Sequence, residues 1–143
     1  MDSVTILIGG NQIKEDSKHI ATIKSQFQTL ITNIKNINSR TQINICSILP
    51  RPKFTPKQEQ NRKKINTYLK HKLTKQENIS VFRIDKGYTK GLNVLTTLYG
   101  RDGVHHNKGG IEKLTMLIKQ AIKGRDINTC GRAAEIINKY TFL

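Results

Sequence analysis

Short apolar runs alternate along this chain with longer segments in which apolar residues recur at helical spacing. Residues 4–8, 43–49 and 79–84 are rich in Ile, Val and Leu, and each run is followed by Gly, Pro or Asp, as is typical of buried parallel strands. Residues 17–34 and 56–73 place large apolar residues every three or four positions, which predicts two amphipathic helices. This alternation predicts a parallel sheet whose strands are joined by helical crossovers.

The rest of the chain continues the same pattern. Residues 92–98 predict a short helical turn, and a strongly amphipathic helix begins at Gly109 and Gly110. A chain of 143 residues has the size of one domain, and we predict that this domain covers residues 1–123. Residues 124–143 are predicted to be a tail that carries a short helix.

The charge balance is strongly basic. The chain has 25 Lys and Arg against 10 Asp and Glu, which gives a formal net charge of +15. Such a charge attracts polyanions, and it is locally dense at Arg62, Lys63, Lys64, Lys70 and Lys72. No aromatic pattern indicates a base-stacking surface. The sequence therefore leaves two interpretations open, namely lysines spread over solvated helix faces and a surface for a nucleic acid or another acidic partner.

The cysteines and the first residues of the chain indicate whether to expect a metal site and where in the cell the protein is located. Cys46 lies in an apolar run and is predicted to be a buried thiol, and Cys46 with Cys130 is too small a set for a disulfide framework or a metal site. We expect no metal and no cofactor. The first residues lack the features of a signal peptide, and no apolar stretch approaches a membrane span. We therefore expect a cytoplasmic or otherwise intracellular protein.

Three polar loops follow predicted strands or precede the last predicted helix. They comprise residues 9–12, 49–52 and 102–107. In an open parallel sheet, ligands bind at the carboxyl ends of the strands. We expect these three loops to meet at that edge.

The loop at residues 102–107 contains Asp102 and His105 with Gly103 between them. A carboxylate three residues before an imidazole can orient the ring and stabilise its charged form, and the glycine permits a tight turn. The alternative is an aspartate that caps a turn beside a surface histidine. His106 is expected to be an exposed neighbour.

Asn11 follows a predicted strand and two glycines. A side-chain amide at this position can donate a hydrogen bond to a developing oxyanion. The alternative is an asparagine that adopts a left-handed turn.

Taken in order, these segments resemble the SGNH (GDSL-like) esterase and lipase superfamily. Residues 6–12 resemble the family's third block, an apolar strand followed by Gly-x-Asn-Asp, and residues 102–110 resemble its fifth block, Asp-Gly-x-His before the last helix. Many relatives also carry a Leu-Pro-Arg segment and spaced asparagines on the following helix. Residues 49–51, Asn61 and Asn66 match that description.

The resemblance implies a three-layer, flavodoxin-like α/β/α fold with a parallel sheet. It also implies esters or thioesters as substrates, without a metal or cofactor. Asn11 would be an oxyanion donor, His105 the general base and Asp102 its orienting partner. Three further residues would contact the substrate, namely Gly9, Gly10 and Arg51.

The sequence departs from the family at the nucleophile. The family's serine lies in a Gly-Asp-Ser block after an earlier strand, whereas this sequence begins at the strand of the third block. Ser3 follows an aspartate but precedes its strand, so it is expected at the opposite edge of the sheet. Gln12 replaces the usual acidic residue after Asn11. We therefore expect a domain that is inactive alone, either a fragment or a degenerate relative.

The same departure affects the sheet and the possible partners. Without the family's first strand, residues 4–8 would form an edge with unpaired backbone groups, and such an edge favours pairing with another chain. We expect a dimer or a partner strand there. Two other functions stay open, a basic module that binds nucleic acid or an acidic protein, and an esterase whose serine comes from a partner chain.

Overall fold

The protein folds around a parallel β-sheet. The computed structural model describes residues 2–128 and 139–142. In chain order its elements are β1 (Ser3–Leu7), α1 (His19–Ile37), β2 (Gln42–Cys46), α2 (Pro56–His71), β3 (Ile79–Phe82), β4 (Thr89–Lys90), β5 (Asn93–Val94), α3 (Lys108–Asn128) and β6 (Lys139–Phe142). The strand order in the main sheet is β3-β2-β1-β6, and each neighbouring pair is parallel.

The sheet carries helices on both faces, because its strands are apolar on both sides. Ile43 and Ile45 of β2 pack in one apolar cluster with residues of α1 and α2. Cys46 and Phe82 belong to a second cluster, which contains the apolar side of α3. The predicted three-layer α/β/α architecture is confirmed. Among the described residues, no helix combines the length and the apolar character needed to cross a membrane.

Helix α2 begins where the sequence predicted. Thr55 and Gln58 form a capping box, in which the Gln58 N–H donates to Thr55 Oγ1 (3.3 Å) and the Thr55 N–H donates to Gln58 Oε1 (2.9 Å). Pro56 occupies the first helical turn, where its missing N–H removes no helical hydrogen bond.

Strand β2 is shorter than predicted, because side chains of α2 form hydrogen bonds with the backbone of Ile48. The Ile48 N–H donates to Asn66 Oδ1 (2.7 Å), and Asn66 Nδ2 donates back to the Ile48 carbonyl (3.0 Å). The same carbonyl accepts from Nη1 of Arg62 (2.8 Å). The Ser47 N–H still donates to the Phe82 carbonyl of β3 (2.9 Å), so the chain leaves the sheet at Ile48 instead of continuing to residue 49.

Arg62 was predicted to lie on a basic surface, and that prediction is wrong. Its side chain is 3% exposed, and besides Ile48 it donates to the carboxylate of Glu59 at 2.5 and 2.8 Å. An arginine held in this way belongs to the interior. The remaining basic positions of that prediction are exposed, namely Lys63, Lys64, Lys70 and Lys72.

Residues 92–98 were predicted to form a helical turn, and the structure confirms this only in part. Thr96–Leu98 form one turn of 3-10 helix, but Asn93–Val94 pair with Thr89–Lys90 as an antiparallel hairpin. Gly91 lies in the tight turn between them with φ 63°, a conformation that glycine adopts without strain.

The prediction that β1 is an unpaired edge is wrong. Strand β6 pairs with it in parallel from Val4 opposite Lys139 to Leu7 opposite Phe142. The chain's own C-terminal segment thus covers the side of β1 that the prediction left open, which removes the basis for a dimer or partner strand there. The short helix predicted in the tail lies outside the described residues, and α3 continues past residue 123, so the domain boundary stays a prediction.

We expect Asn66→Ala to lower the free energy of unfolding by about 1–3 kcal/mol, because the Ile48 N–H would lose its partner in a buried position. The free energy is measured by urea denaturation. The control is Lys63→Ala, an exposed position on the same helix, for which the change should stay within about 0.5 kcal/mol. Equal losses in both variants would contradict this role for Asn66.

Candidate functional site

The three polar loops meet at the carboxyl edge of the sheet, as expected. They surround a cleft of about 770 Å³, to which Asn11, Arg51 and His105 each contribute a side chain. Leu7 at the end of β1 and Ile48, two residues beyond β2, also line it. Below, this space is called the cleft.

Asp102 and His105 are hydrogen-bonded to each other at the rim of the cleft. The distance from Asp102 Oδ2 to His105 Nδ1 is 2.5 Å. Asp102 Oδ1 accepts from the N–H groups of Val104 (2.9 Å) and His105 (3.0 Å), and Gly103 completes the turn with φ 66°. The aspartate therefore caps the turn and orients the imidazole at once, and a catalytic role for the pair stays a prediction.

The hydrogen bonds fix the charge state of Asp102. The bond from His105, followed by the N–H groups of Val104 and His105, holds the pKa of the Asp102 carboxyl well below its usual range. In a neutral imidazole, an Nδ1–H donated to a carboxylate leaves the lone pair on Nε2. The side chain of His105 is 84% exposed, so this nitrogen is accessible to a reactant.

The loop that carries His105 is anchored to the start of α3. The Gly100 N–H donates to the His105 carbonyl (2.7 Å), and Asn107 Oδ1 accepts from the Gly110 N–H (2.9 Å). A Cβ on Gly110 would overlap the carbonyl oxygen of Leu98, so a side chain there would push the helix away from the loop. Gly110 thus permits a close approach of α3 to Leu98 beside the loop that carries His105.

Asn11 is placed by the turn that follows β1. Gly9 has φ 103°, and residues Gly10–Gln12 form one turn of 3-10 helix. Asn11 Oδ1 accepts from Arg51 Nη2 at 2.9 Å. Because a guanidinium only donates, the amide oxygen must face Arg51, and Nδ2 is left as a donor for another group.

Arg51 connects two of the three loops. Its guanidinium lies 5.6 Å from the centre of the Phe54 ring and passes so close to Gly10 that a Cβ there would be 2.6 Å from Nη2. The preceding carbonyl, that of Pro50, accepts from the hydroxyl of Tyr99. Glycine at position 10 therefore serves the packing of Arg51, and Arg51 in turn sets the orientation of the Asn11 amide.

His106 is not the exposed neighbour that the sequence predicted. It is half-buried, and its ring lies 5.0 Å from that of Tyr88 and 4.6 Å from that of Tyr99, measured between ring centres. Burial lowers its pKa, which keeps the imidazole neutral. Nε2 is buried without a hydrogen-bond partner among the described residues. The sequence held no signal for this packing, since Tyr88 is distant along the chain.

Ser3 lies away from the cleft, as expected. It is the first residue of β1, it is 5% exposed, and its Oγ accepts from Asn44 Nδ2 at 3.0 Å. Of the described residues that line the cleft, Thr115 has the only hydroxyl, which donates to the Ile111 carbonyl at 3.1 Å. The described part of the chain contains no cluster of His, Cys, Asp or Glu suited to a metal ion.

Comparison with known proteins identifies the fold. No family model and no curated protein matches the sequence. A protein from Streptococcus pneumonia, provisionally assigned as a platelet activating factor, superposes with a TM-score of 0.72 at 20% identity over 85% of this chain and 59% of its own. The esterase domain of the ZfL2-1 ORF1 protein, from a zebrafish retrotransposon, superposes with a TM-score of 0.60 at 17% identity over 86% and 99%.

These likenesses confirm the predicted α/β fold, since both neighbours superpose over most of this chain. The chain spans less than two thirds of the first neighbour and almost the whole of the second. At these identities the likeness concerns the fold and leaves the chemistry of the cleft to be argued from its own residues.

We expect Asp102 to stay ionised at pH values where ordinary aspartates, with a pKa of about 3.9, become protonated. Its carboxylate therefore stabilises the loop above that range, and the stabilisation is lost only as the pH falls through the lowered pKa. Carboxyl ¹³C NMR measures the titration. His105→Ala should raise the Asp102 pKa, because it removes the largest cause of the shift, whereas the exposed His71→Ala should not. An unchanged titration in His105→Ala would contradict the assignment.

Proposed function

We propose that this domain provides part of a serine-esterase site for acyl esters. The observation that carries the proposal is the Asp102–His105 hydrogen bond of 2.5 Å at a cleft that Asn11 also lines. An oriented imidazole and a fixed amide donor are the groups that acyl transfer requires besides a nucleophile.

Each residue has a distinct role in this proposal. His105 Nε2 takes the proton from the attacking hydroxyl, and Asp102 stabilises the imidazolium that results. Nδ2 of Asn11 donates to the oxyanion, in the orientation that Arg51 imposes through the amide oxygen. Gly9 and Gly10 shape the turn on which Asn11 is carried, so that the substrate carbonyl can approach the backbone.

The nucleophile is proposed to come from outside the described cleft residues, since no serine is among them. It would be supplied by a partner chain or by residues outside the printed sequence, so that these 143 residues alone form no acyl-enzyme. One structural neighbour is itself described as an esterase domain, which supports acyl-ester chemistry for this fold. A degenerate relative that has lost hydrolysis would present the same cleft.

A fluorophosphonate probe tests the nucleophile. We expect no serine of the isolated chain to be labelled, because no serine is among the described residues that line the cleft with His105. Mass spectrometry identifies the labelled residues. Stoichiometric labelling at low protein concentration would overturn the proposed incompleteness, and labelling that rises steeply with protein concentration would identify a serine from a second copy.

Slow hydrolysis of an activated aryl ester tests whether His105 and Asn11 act on an ester. A site without its nucleophile still accelerates hydrolysis through its remaining groups. We expect His105→Ala and Asn11→Ala each to lower the residual rate at least about tenfold, with His71→Ala as the control for a nonspecific imidazole. A rate that none of these variants changes would contradict a functional site in the cleft.

A basic interaction surface is the second candidate function, favoured by four exposed lysines on and just after α2. Lys63 and Lys70 are seven residues apart and share one side of the helix, and Lys64 and Lys72 lie nearby in sequence. Together with the net charge of +15, they would contact phosphates through electrostatic attraction without reading a base sequence.

Fluorescence anisotropy with mixed duplex DNA at several salt concentrations tests this surface. We expect the charge reversals Lys63→Glu and Lys70→Glu together to weaken binding and to reduce the slope of log K against log salt by about 1.8. Lys86→Glu with Lys90→Glu makes the same change of net charge at exposed positions elsewhere. Equal effects of the two double variants would show attraction to overall charge and exclude a defined surface.

A further inference from the structure

One wall of the cleft is an apolar side of α3. Ile111, Leu114 and Ile118 recur at helical spacing and all line the cleft. Leu114 and Ile118 are 5% and 2% exposed, whereas Ile111 is 54% exposed although it is large and apolar. The apolar side of α3 thus extends from the core to a part of the cleft that solvent reaches. An apolar ligand bound there would shield Ile111 from water.

The charged groups in the cleft have one sign. The described lining contains Arg51 and Lys119 together with two histidines, and it contains neither Asp nor Glu. Asp102 is bound to His105 and is not among the lining residues. An apolar cleft with only cationic charges selects for a ligand that carries a negative charge.

Arg51 has the geometry to receive that charge. Among the described residues its side chain makes one hydrogen bond, from Nη2 to Asn11 Oδ1. The guanidinium has five N–H donors in a planar fork that matches a carboxylate. Since Nδ2 and Oδ1 of Asn11 belong to one amide, Nδ2 lies close to the guanidinium that Oδ1 contacts, and a carboxylate beside them can accept from both side chains.

We propose that the cleft binds an amphiphile with an unbranched apolar chain and a carboxylate head group. The chain packs against Ile111, Leu114 and Ile118, and the carboxylate contacts Arg51, with Lys119 adding a second positive charge. A volume of about 770 Å³ is in the range of small-molecule sites. This inference rests on the proposed acyl site, since a fatty acid is the product that ester cleavage would leave there.

Calorimetric titration of the full chain with three ligands that share a ten-carbon chain tests the head group. We expect sodium decanoate to bind at least about tenfold more tightly than decan-1-ol, because charge-assisted hydrogen bonds to Arg51 are lost with the alcohol. Decyltrimethylammonium should not bind. Arg51→Met should remove the preference for decanoate over decan-1-ol.

Two matched pairs of variants on α3 locate the ligand. Ile111→Ser should weaken decanoate binding about tenfold, whereas Met116→Ser, an equally exposed apolar position outside the cleft, should leave it unchanged. Lys119→Glu should weaken binding about three- to fivefold, and the exposed Lys123→Glu, with the same change of net charge, should have little effect.

Three results would overturn the inference. They are equal binding of decanoate and decan-1-ol, equal effects of Lys119→Glu and Lys123→Glu, and no effect of Ile111→Ser. The proposed esterase site is tested separately, because decanoate contains no ester bond. If decanoate does not bind, this inference is wrong, and the effect of His105→Ala on ester hydrolysis still decides whether the esterase site exists.

Discussion

The cleft depends on the hydrogen bonds between side chains of α2 and the backbone of Ile48. Asn66 holds the N–H and the carbonyl of this residue, and the buried Arg62 holds the same carbonyl. This ends β2 and directs the chain into the segment that carries Arg51. Since Arg51 orients the amide of Asn11, a helix packed against the sheet determines the direction of a hydrogen-bond donor at its edge. Two buried polar side chains thus connect the core to the site.

Much of the fold was predictable from the spacing of apolar residues. A strand buried on both faces is a continuous apolar run, and a helix buried on one face has apolar residues every three or four positions. The three N-terminal strands and both intervening helices were predicted with small errors at their ends. Those errors have physical causes in tertiary contacts. Strand β2 stops early because of Asn66, and Arg62 is buried because Glu59 and Ile48 satisfy its charge and its donors. The bonds from Arg62 and Asn66 to Ile48 join residues 14 and 18 positions apart, so local sequence gives no sign of them.

The site was predictable where its residues are close in sequence. Asp102 and His105 are three residues apart, and one turn brings them together. The bond between Asn11 and Arg51 joins residues forty positions apart, and only the fold reveals it. The burial of His106 between Tyr88 and Tyr99 is likewise a property of packing. The edge at β1 was predicted wrongly because the strand that pairs with it, β6, is distant along the chain, and the spacing of apolar residues carries no information on strand pairing.

The pairing of β1 with β6 has a consequence for the order of folding. Val4 lies opposite Lys139, so this contact closes a loop that contains most of the chain. Closing so long a loop carries a large entropic cost, and contacts of this kind form late. On the ribosome, β1, β2 and β3 can associate while β6 is still being synthesised. Until β6 has been synthesised, β1 lacks the partner that pairs with Val4 to Leu7 in the finished sheet, so the sheet is completed only with the last residues of the domain.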